Sequence, residues 1–211
     1  MRLFNRDRIT LMAGGGAAAV ITIAALLVST ASAAPVGQAA PAFKEVNTAG
    51  QTVQLSDFAG KTVVLEWTNN GCPFVQKHYN SGNMQKTQEA ATKEGVVWIS
   101  VISSKPGSQG YVQAAGADKL TKDRSAHPTM VLLDPDGSMG HAYGAKTTPH
   151  MFIITPDQKI AYNGAIDSIK SSNQADIPKA TNYVLAGLTA LKAGKQPDPA
   201  LTVPYGCDVK Y

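Results

Sequence analysis

Cysteine is nearly missing from this 211-residue chain, which holds only Cys72 and Cys207. Two thiols cannot build the disulfide framework of a small secreted domain, and a chain of this length can bury an apolar core without one. In an oxidising compartment the default for two cysteines is a bond between them. Basic residues interleaved with aromatics are also lacking, and aromatics make up only 7% of the chain. That excludes nucleic acid as an expected partner. The four histidines (His78, His127, His141 and His150) are scattered without ligand spacing. No metal site and no cofactor are therefore expected. Internal repeats are absent, and a long uncharged run occurs once.

That run, Ile9–Val28, follows Arg2, Arg6 and Arg8 and precedes Ala31-Ser32-Ala33, the small-x-small pattern of a signal peptidase site. The expectation is a Sec-type signal over residues 1–33 and an extracytoplasmic mature protein. A membrane is involved only if the segment is retained as an anchor. There is no Arg-Arg pair and no lipobox cysteine, which argues against twin-arginine export and lipidation. Removing residues 1–33 leaves 16 basic and 14 acidic side chains, so the basic isoelectric point belongs partly to the signal.

Residues 34–41, with two prolines, are expected to be a mobile linker before a single domain over 42–196 and a tail over 197–211. Short β-prone runs at Phe43–Val46 and Thr52–Leu55 flank the turn Asn47–Gly50 and predict an N-terminal hairpin. Thr62–Thr68 is apolar at both parities apart from Glu66 and its ends, the pattern of a strand covered on both faces. A helical region from Cys72 to Lys93, interrupted near Asn80-Ser81-Gly82, leads to a second such strand, Val96–Ser103. A helix over Tyr111–Lys122 and a strand over Thr129–Leu133 follow. Met151–Thr155 and Lys159–Tyr162 read as a hairpin, and Asn182–Lys192 as the last helix. Alternating strands and helices predict an α/β fold: a central, mostly parallel sheet with an antiparallel hairpin edge and helices on both faces.

The chemistry concentrates at Cys72-Pro73, where a buried strand turns into a helix. A cysteine there meets unpaired backbone N–H groups and the positive end of the helix dipole, and both favour the thiolate. Proline suits the first helical turn. Glu66 lies six residues earlier, on a face that should be dry. A buried carboxyl there would have a raised pKa and could relay a proton. The alternative is a glutamate at the strand end reaching solvent or a lysine.

Several blocks give the chain a family resemblance. Ala40-Pro41-Ala42-Phe43, Leu55-Ser56-Asp57-Phe58, Gly60-Lys61 and Val63-Val64-Leu65 resemble the opening of redoxins, the peroxiredoxin and thiol–disulfide branch of the thioredoxin superfamily. Gly71-Cys72-Pro73-Phe74 matches their active-site turn, and Thr148-Pro149 their cis-proline turn. Asp134–Gly137, Gly164–Asp167 and the terminal Tyr205–Tyr211 are similar to a peroxiredoxin-like subgroup with one active-site cysteine. The resemblance covers residues 40–211 and implies a thioredoxin-like fold. Glu66 then stands where thioredoxins keep a buried acid. Thr148, Pro149 and His150 would face the substrate, a protein thiol or disulfide or a peroxide, and the electron donor is unknown.

Two departures from the family pattern matter. Val75 occupies the position of the second cysteine of a C-x-x-C, so Cys72 has no neighbour to release a mixed disulfide. The Pro-x-x-x-Thr-x-x-Cys pattern of peroxidatic sites is missing, with Thr68 one residue too far from Cys72. Cys207, 135 residues on, is the candidate resolving thiol. The opposing reading is a non-catalytic binding module for a peptide, copper or haem, in which a Cys72–Cys207 disulfide only pins the tail.

Overall fold

The structure, a computed structural model, describes residues 34–211, so the expected signal segment lies outside the described residues. Two apolar strands set the centre. Val63–Trp67 (β3) and Val97–Ile102 (β4) are buried at every position and run parallel, with Glu66 opposite Ser100. Unbroken apolar character is what a strand covered on both faces requires. Met130–Leu133 (β5) continues the parallel core beside β4. On the other side of β3, His150–Ile154 (β7) and Ile160–Gly164 (β8) add the antiparallel hairpin. Lys44–Asn47 (β1) and Thr52–Gln54 (β2) form the N-terminal hairpin, which joins the sheet antiparallel to β5. The strand order is β2-β1-β5-β4-β3-β7-β8.

The helices cover both faces. Pro73–Asn80 (α1) and Asn83–Lys93 (α2) are separated at Ser81-Gly82, where Gly82 takes φ 74°, a left-handed conformation that costs glycine little. With Tyr183–Lys192 (α5) they bury Val64, Trp98, Met151 and Ile153 beneath Val75, Tyr79, Met84 and Val184. The opposite core gathers Leu65, Trp67, Ile99 and Phe152 with Phe43, Leu55, Phe58 and Tyr143. Trp67 is its hub, 5.4 Å from the Tyr143 ring and 5.3 Å from Phe152. Each such side chain contributes roughly 1.5–3 kcal/mol on burial. Ser138–Tyr143 (α4) completes this side through Met139 and Tyr143, whereas Ala114–Asp123 (α3) packs its Ala117 on Ile102 and Val131 of the other face.

The segment after the expected signal departs from expectation. Residues 34–41 are not a free linker: the Gly37 N–H donates to Ile160 C=O at 2.8 Å, the Ala40 N–H to Gln158 C=O at 2.8 Å, and Ala34 is buried. Backbone groups that β8 leaves open are satisfied by this segment. The tail also folds in. Thr147–Thr148 (β6) pairs antiparallel with Cys207–Asp208 (β9) in a separate two-stranded sheet.

Candidate functional site

Cys72 is the N-cap of α1, with Pro73 in the first turn. The loop before it is fixed by Asn69, whose Oδ1 accepts the Gly71 N–H at 2.8 Å and whose Nδ2 donates to Gln109 C=O at 3.1 Å. Across from the cysteine, the Thr148–Pro149 peptide bond is cis. The Cys72 thiol donates to the Thr148 carbonyl at 3.0 Å. On the same sulfur, the Cys207 backbone N–H donates at 3.4 Å. Cys207 is the register partner of Thr148. The backbone edge expected to face an extended substrate is thus occupied by the chain's own tail.

This arrangement separates the two thiols electrostatically. Burial pushes the Cys72 thiol up, but hydrogen bonds from the Cys207 thiol and from the Val75 and Cys207 backbone N–H groups outweigh it, and the net direction is down. The contact to the Thr148 carbonyl works the other way, because only the protonated sulfur can donate to it. Burial and the neighbouring Cys72 sulfur push Cys207 up to about 11. Of the two thiols, Cys72 is therefore the more acidic and Cys207 the less acidic.

The tail is fastened on both sides of Cys207. Upstream, the Tyr205 hydroxyl donates to Asp167 and lies 3.5 Å from His78 Nε2. Asp167 forms a buried ion pair with Lys77 at 3.1 Å, and Lys77 also donates to Ile169 C=O at 3.1 Å. The Phe74 ring packs edge-on against Tyr205. Downstream, the Val209 N–H donates to Lys146 C=O at 3.1 Å, and the Lys105 N–H to Lys210 C=O at 2.9 Å. Tyr211 donates to Ala145 C=O at 2.8 Å and stacks on His141. Gly206 permits the close approach. Its φ is +147°, and a Cβ there would sit 2.0 Å from the Thr148 carbonyl oxygen.

Glu66 is fully buried, which removes the reading in which it reaches solvent. Its carboxyl accepts from Tyr79 at 2.7 Å, Trp98 Nε1 at 2.8 Å, Gln88 at 3.0 Å and Ser100 at 3.1 Å. These donors tie α1 and α2 to β4, and none of them is Cys72. Burial raises its pKa against the lowering effect of Tyr79, Trp98, Arg124 and Gln88. His150 is turned away as well. Its Nδ1 accepts the Lys146 N–H at 3.1 Å, so Nε2 carries the hydrogen donated to Asn163 Oδ1 at 2.8 Å. Both ring nitrogens are thereby committed to the scaffold, and burial lowers the imidazole to about 4.

The structure therefore brings together Cys72, Cys207, Thr148 and Pro149, and holds Glu66 and His150 in supporting networks. Sequence reasoning missed Lys77, His78, Asp167, Tyr205 and Gly206 as parts of the site. The available signals were Lys77-His78, an unusually polar pair on the helix after Cys72, and Tyr205-Gly206-Cys207, where a glycine precedes the second thiol. Among the described residues, no three His, Cys, Asp or Glu side chains gather as metal ligands would.

A cysteine capping a helix after a central parallel strand, opposite a cis-proline turn, defines a protein of thioredoxin fold. The comparisons narrow the class. The family model described as Redoxin matches residues 35–183, and the chain belongs to that family. The match stops short of Tyr205, Gly206 and Cys207. Among curated proteins, the thiol-disulfide oxidoreductase ResA of Bacillus subtilis (strain 168) is 26% identical over 124 residues, 59% of this chain. The chain spans 64% of that relative's length. Among solved structures, an uncharacterized conserved protein from Geobacillus kaustophilus superposes with a TM-score of 0.70 at 25% identity, covering 84% of this chain and 93% of that one. A hypothetical protein from Sinorhizobium meliloti 1021 gives the same TM-score at 20% identity, covering 85% and 96%, and shows the fold alone.

Proposed function

We propose that this protein is an extracytoplasmic thiol–disulfide oxidoreductase of the redoxin type whose redox pair is Cys72 and Cys207. One observation carries the reading: the tail strand places the Cys207 backbone N–H 3.4 Å from the Cys72 sulfur, across from the cis-proline turn. Cys207 then performs the release step that Val75 cannot. The substrates are thiols and disulfides, in keeping with what the name of the Bacillus subtilis relative says of that protein. Glu66, through its bond from Tyr79, fixes the helix that Cys72 caps to the sheet, and the Thr148-Pro149 edge is where an extended chain pairs when the tail is lifted. A location outside the cytoplasm rests on the N-terminal signal pattern. Peroxide is the weaker substrate, because the Pro-x-x-x-Thr-x-x-Cys pattern of peroxidatic sites is missing.

A second reading draws on the complete burial of Cys72: a binding module whose disulfide only staples the tail. Native-state reduction separates the two. The redox reading expects oxidised protein to lose its disulfide to millimolar dithiothreitol without unfolding, and to re-form it with oxidised glutathione. It also expects reduction of a low-molecular-weight disulfide to fail in both Cys72→Ser and Cys207→Ser. A bond that resists dithiothreitol until the protein unfolds supports the module, and full turnover in Cys207→Ser removes Cys207 from the pair.

A further inference from the structure

A thioredoxin-type cycle needs its helix-capping sulfur to be reachable, and here that sulfur has no exposed surface. The tail lies directly on it, with the Cys207 backbone N–H donating to the sulfur at 3.4 Å. The tail is not a loose flap: Tyr205 enters the Lys77–Asp167 ion pair on one side of Cys207, and Val209, Lys210 and Tyr211 are bonded to the domain on the other. Uncovering Cys72 would break these contacts together. Cys207 itself stays partly exposed. Sulfur chemistry from outside therefore meets the tail first.

We infer that Cys207, not Cys72, is the sulfur attacked by an external thiol, and that Cys72 serves as the leaving group; the inference rests on the redox pair proposed above. The oxidised protein holds a Cys72–Cys207 disulfide. A low-molecular-weight thiolate attacks the Cys207 sulfur, forming a mixed disulfide there. The Cys72–Cys207 bond breaks, and its electron pair remains on Cys72 as thiolate. A second thiolate attacks the mixed disulfide at its outer sulfur, which yields the small disulfide and frees Cys207. The two protons of the reacting thiols end on Cys72 and Cys207. Two small thiols are oxidised and the protein disulfide is reduced. The direction suits the leaving group, since the helix start and the backbone N–H groups at Cys72 stabilise the departing thiolate. The order is the reverse of one in which the helix cysteine bears the mixed disulfide. It also selects small thiols over folded polypeptides as the first reactant, because the Thr148 edge is taken by β9.

The test is made on full-length oxidised protein mixed with limiting reduced glutathione, quenched in acid within the first turnover, denatured, alkylated and mapped by peptide mass. Glutathione is expected on Cys207 and the alkyl label on Cys72, in excess over the opposite pattern by at least about tenfold. Glutathione on Cys72, or spread evenly over the two, overturns the inference while leaving the redox pair intact. Protein that never loses the mass of two hydrogens on oxidation fails the redox reading instead.

Discussion

The two additions to the central sheet solve different problems. The N-terminal hairpin, β1 and β2, extends the main sheet and is held by apolar burial, with Phe43 and Leu55 both in the core around Trp67. The C-terminal tail makes only two register pairs, and its anchors are mixed: Tyr205 bonds Asp167 and packs on Phe74, Tyr211 stacks on His141, and Val209 and Lys210 make backbone bonds. One addition closes a core, and the other sets the Cys207 backbone N–H on the Cys72 sulfur. If the proposed redox function holds, stability and disulfide chemistry depend on different parts of this fold, and substitutions should pull them apart.

Phe43→Ala should have the largest effect. Emptying a buried aromatic site costs about 3–5 kcal/mol, seen as a lower denaturant midpoint. The glutathione equilibrium of the Cys72–Cys207 pair should not move, and a shift there would break the separation. Gly206→Ala should do the converse. The added Cβ collides with the Thr148 carbonyl at a backbone angle that only glycine takes readily. The effective concentration of Cys207 at Cys72 should drop about a hundredfold, roughly 2.7 kcal/mol, with little change in the denaturant midpoint. Tyr205→Phe removes one hydrogen bond to a buried carboxylate, worth about 1–2 kcal/mol, and should weaken the disulfide about tenfold in the same titration.

Acid should produce the broadest effect, through two histidines that bear on the tail and on the segment starting at residue 34. Burial lowers His78 and His150 to about 4, below the value of about 6.5 in an unfolded chain. Between these values the unfolded state binds more protons, so stability is full above about pH 6.5 and declines toward pH 4. His78 touches Tyr205 of the tail, while His150 acts through Asn163, which bonds the Ala34 carbonyl. Thermal melts from pH 7 to 4 measure the decline. His78→Gln should remove the tail's share and leave that of the N-terminal segment.

These differences also explain what could be read from sequence. β3 and β4 were legible because strands covered on both faces are apolar at every position, and Cys72-Pro73 because helix starts have strong local rules. The break at Ser81-Gly82 was legible for the same reason. The tail was not legible as a strand: β9 is two residues long, and its pairing with Thr148 is set by tertiary anchors far away in sequence. Lys77, Asp167 and Tyr205 look like ordinary surface residues until the fold brings them together. Residues 34–41 misled because alanine and proline suggest a linker, whereas their backbone N–H groups dock on β8 and on the turn before it. Sequence alone leaves Glu66 open between a buried acid and one reaching solvent or a lysine; it is buried, and its four donors show a carboxyl that clamps helices to the sheet.

The central claim is that Cys72 and Cys207 form one reversible redox pair in the folded protein. A glutathione redox titration of the native protein, read by counting free thiols, tests it most directly. The account predicts a single two-electron transition in which both thiols disappear together and return together on reduction. Two thiols that remain free at the oxidising end, or a bond that withstands reduction until the chain unfolds, would contradict it.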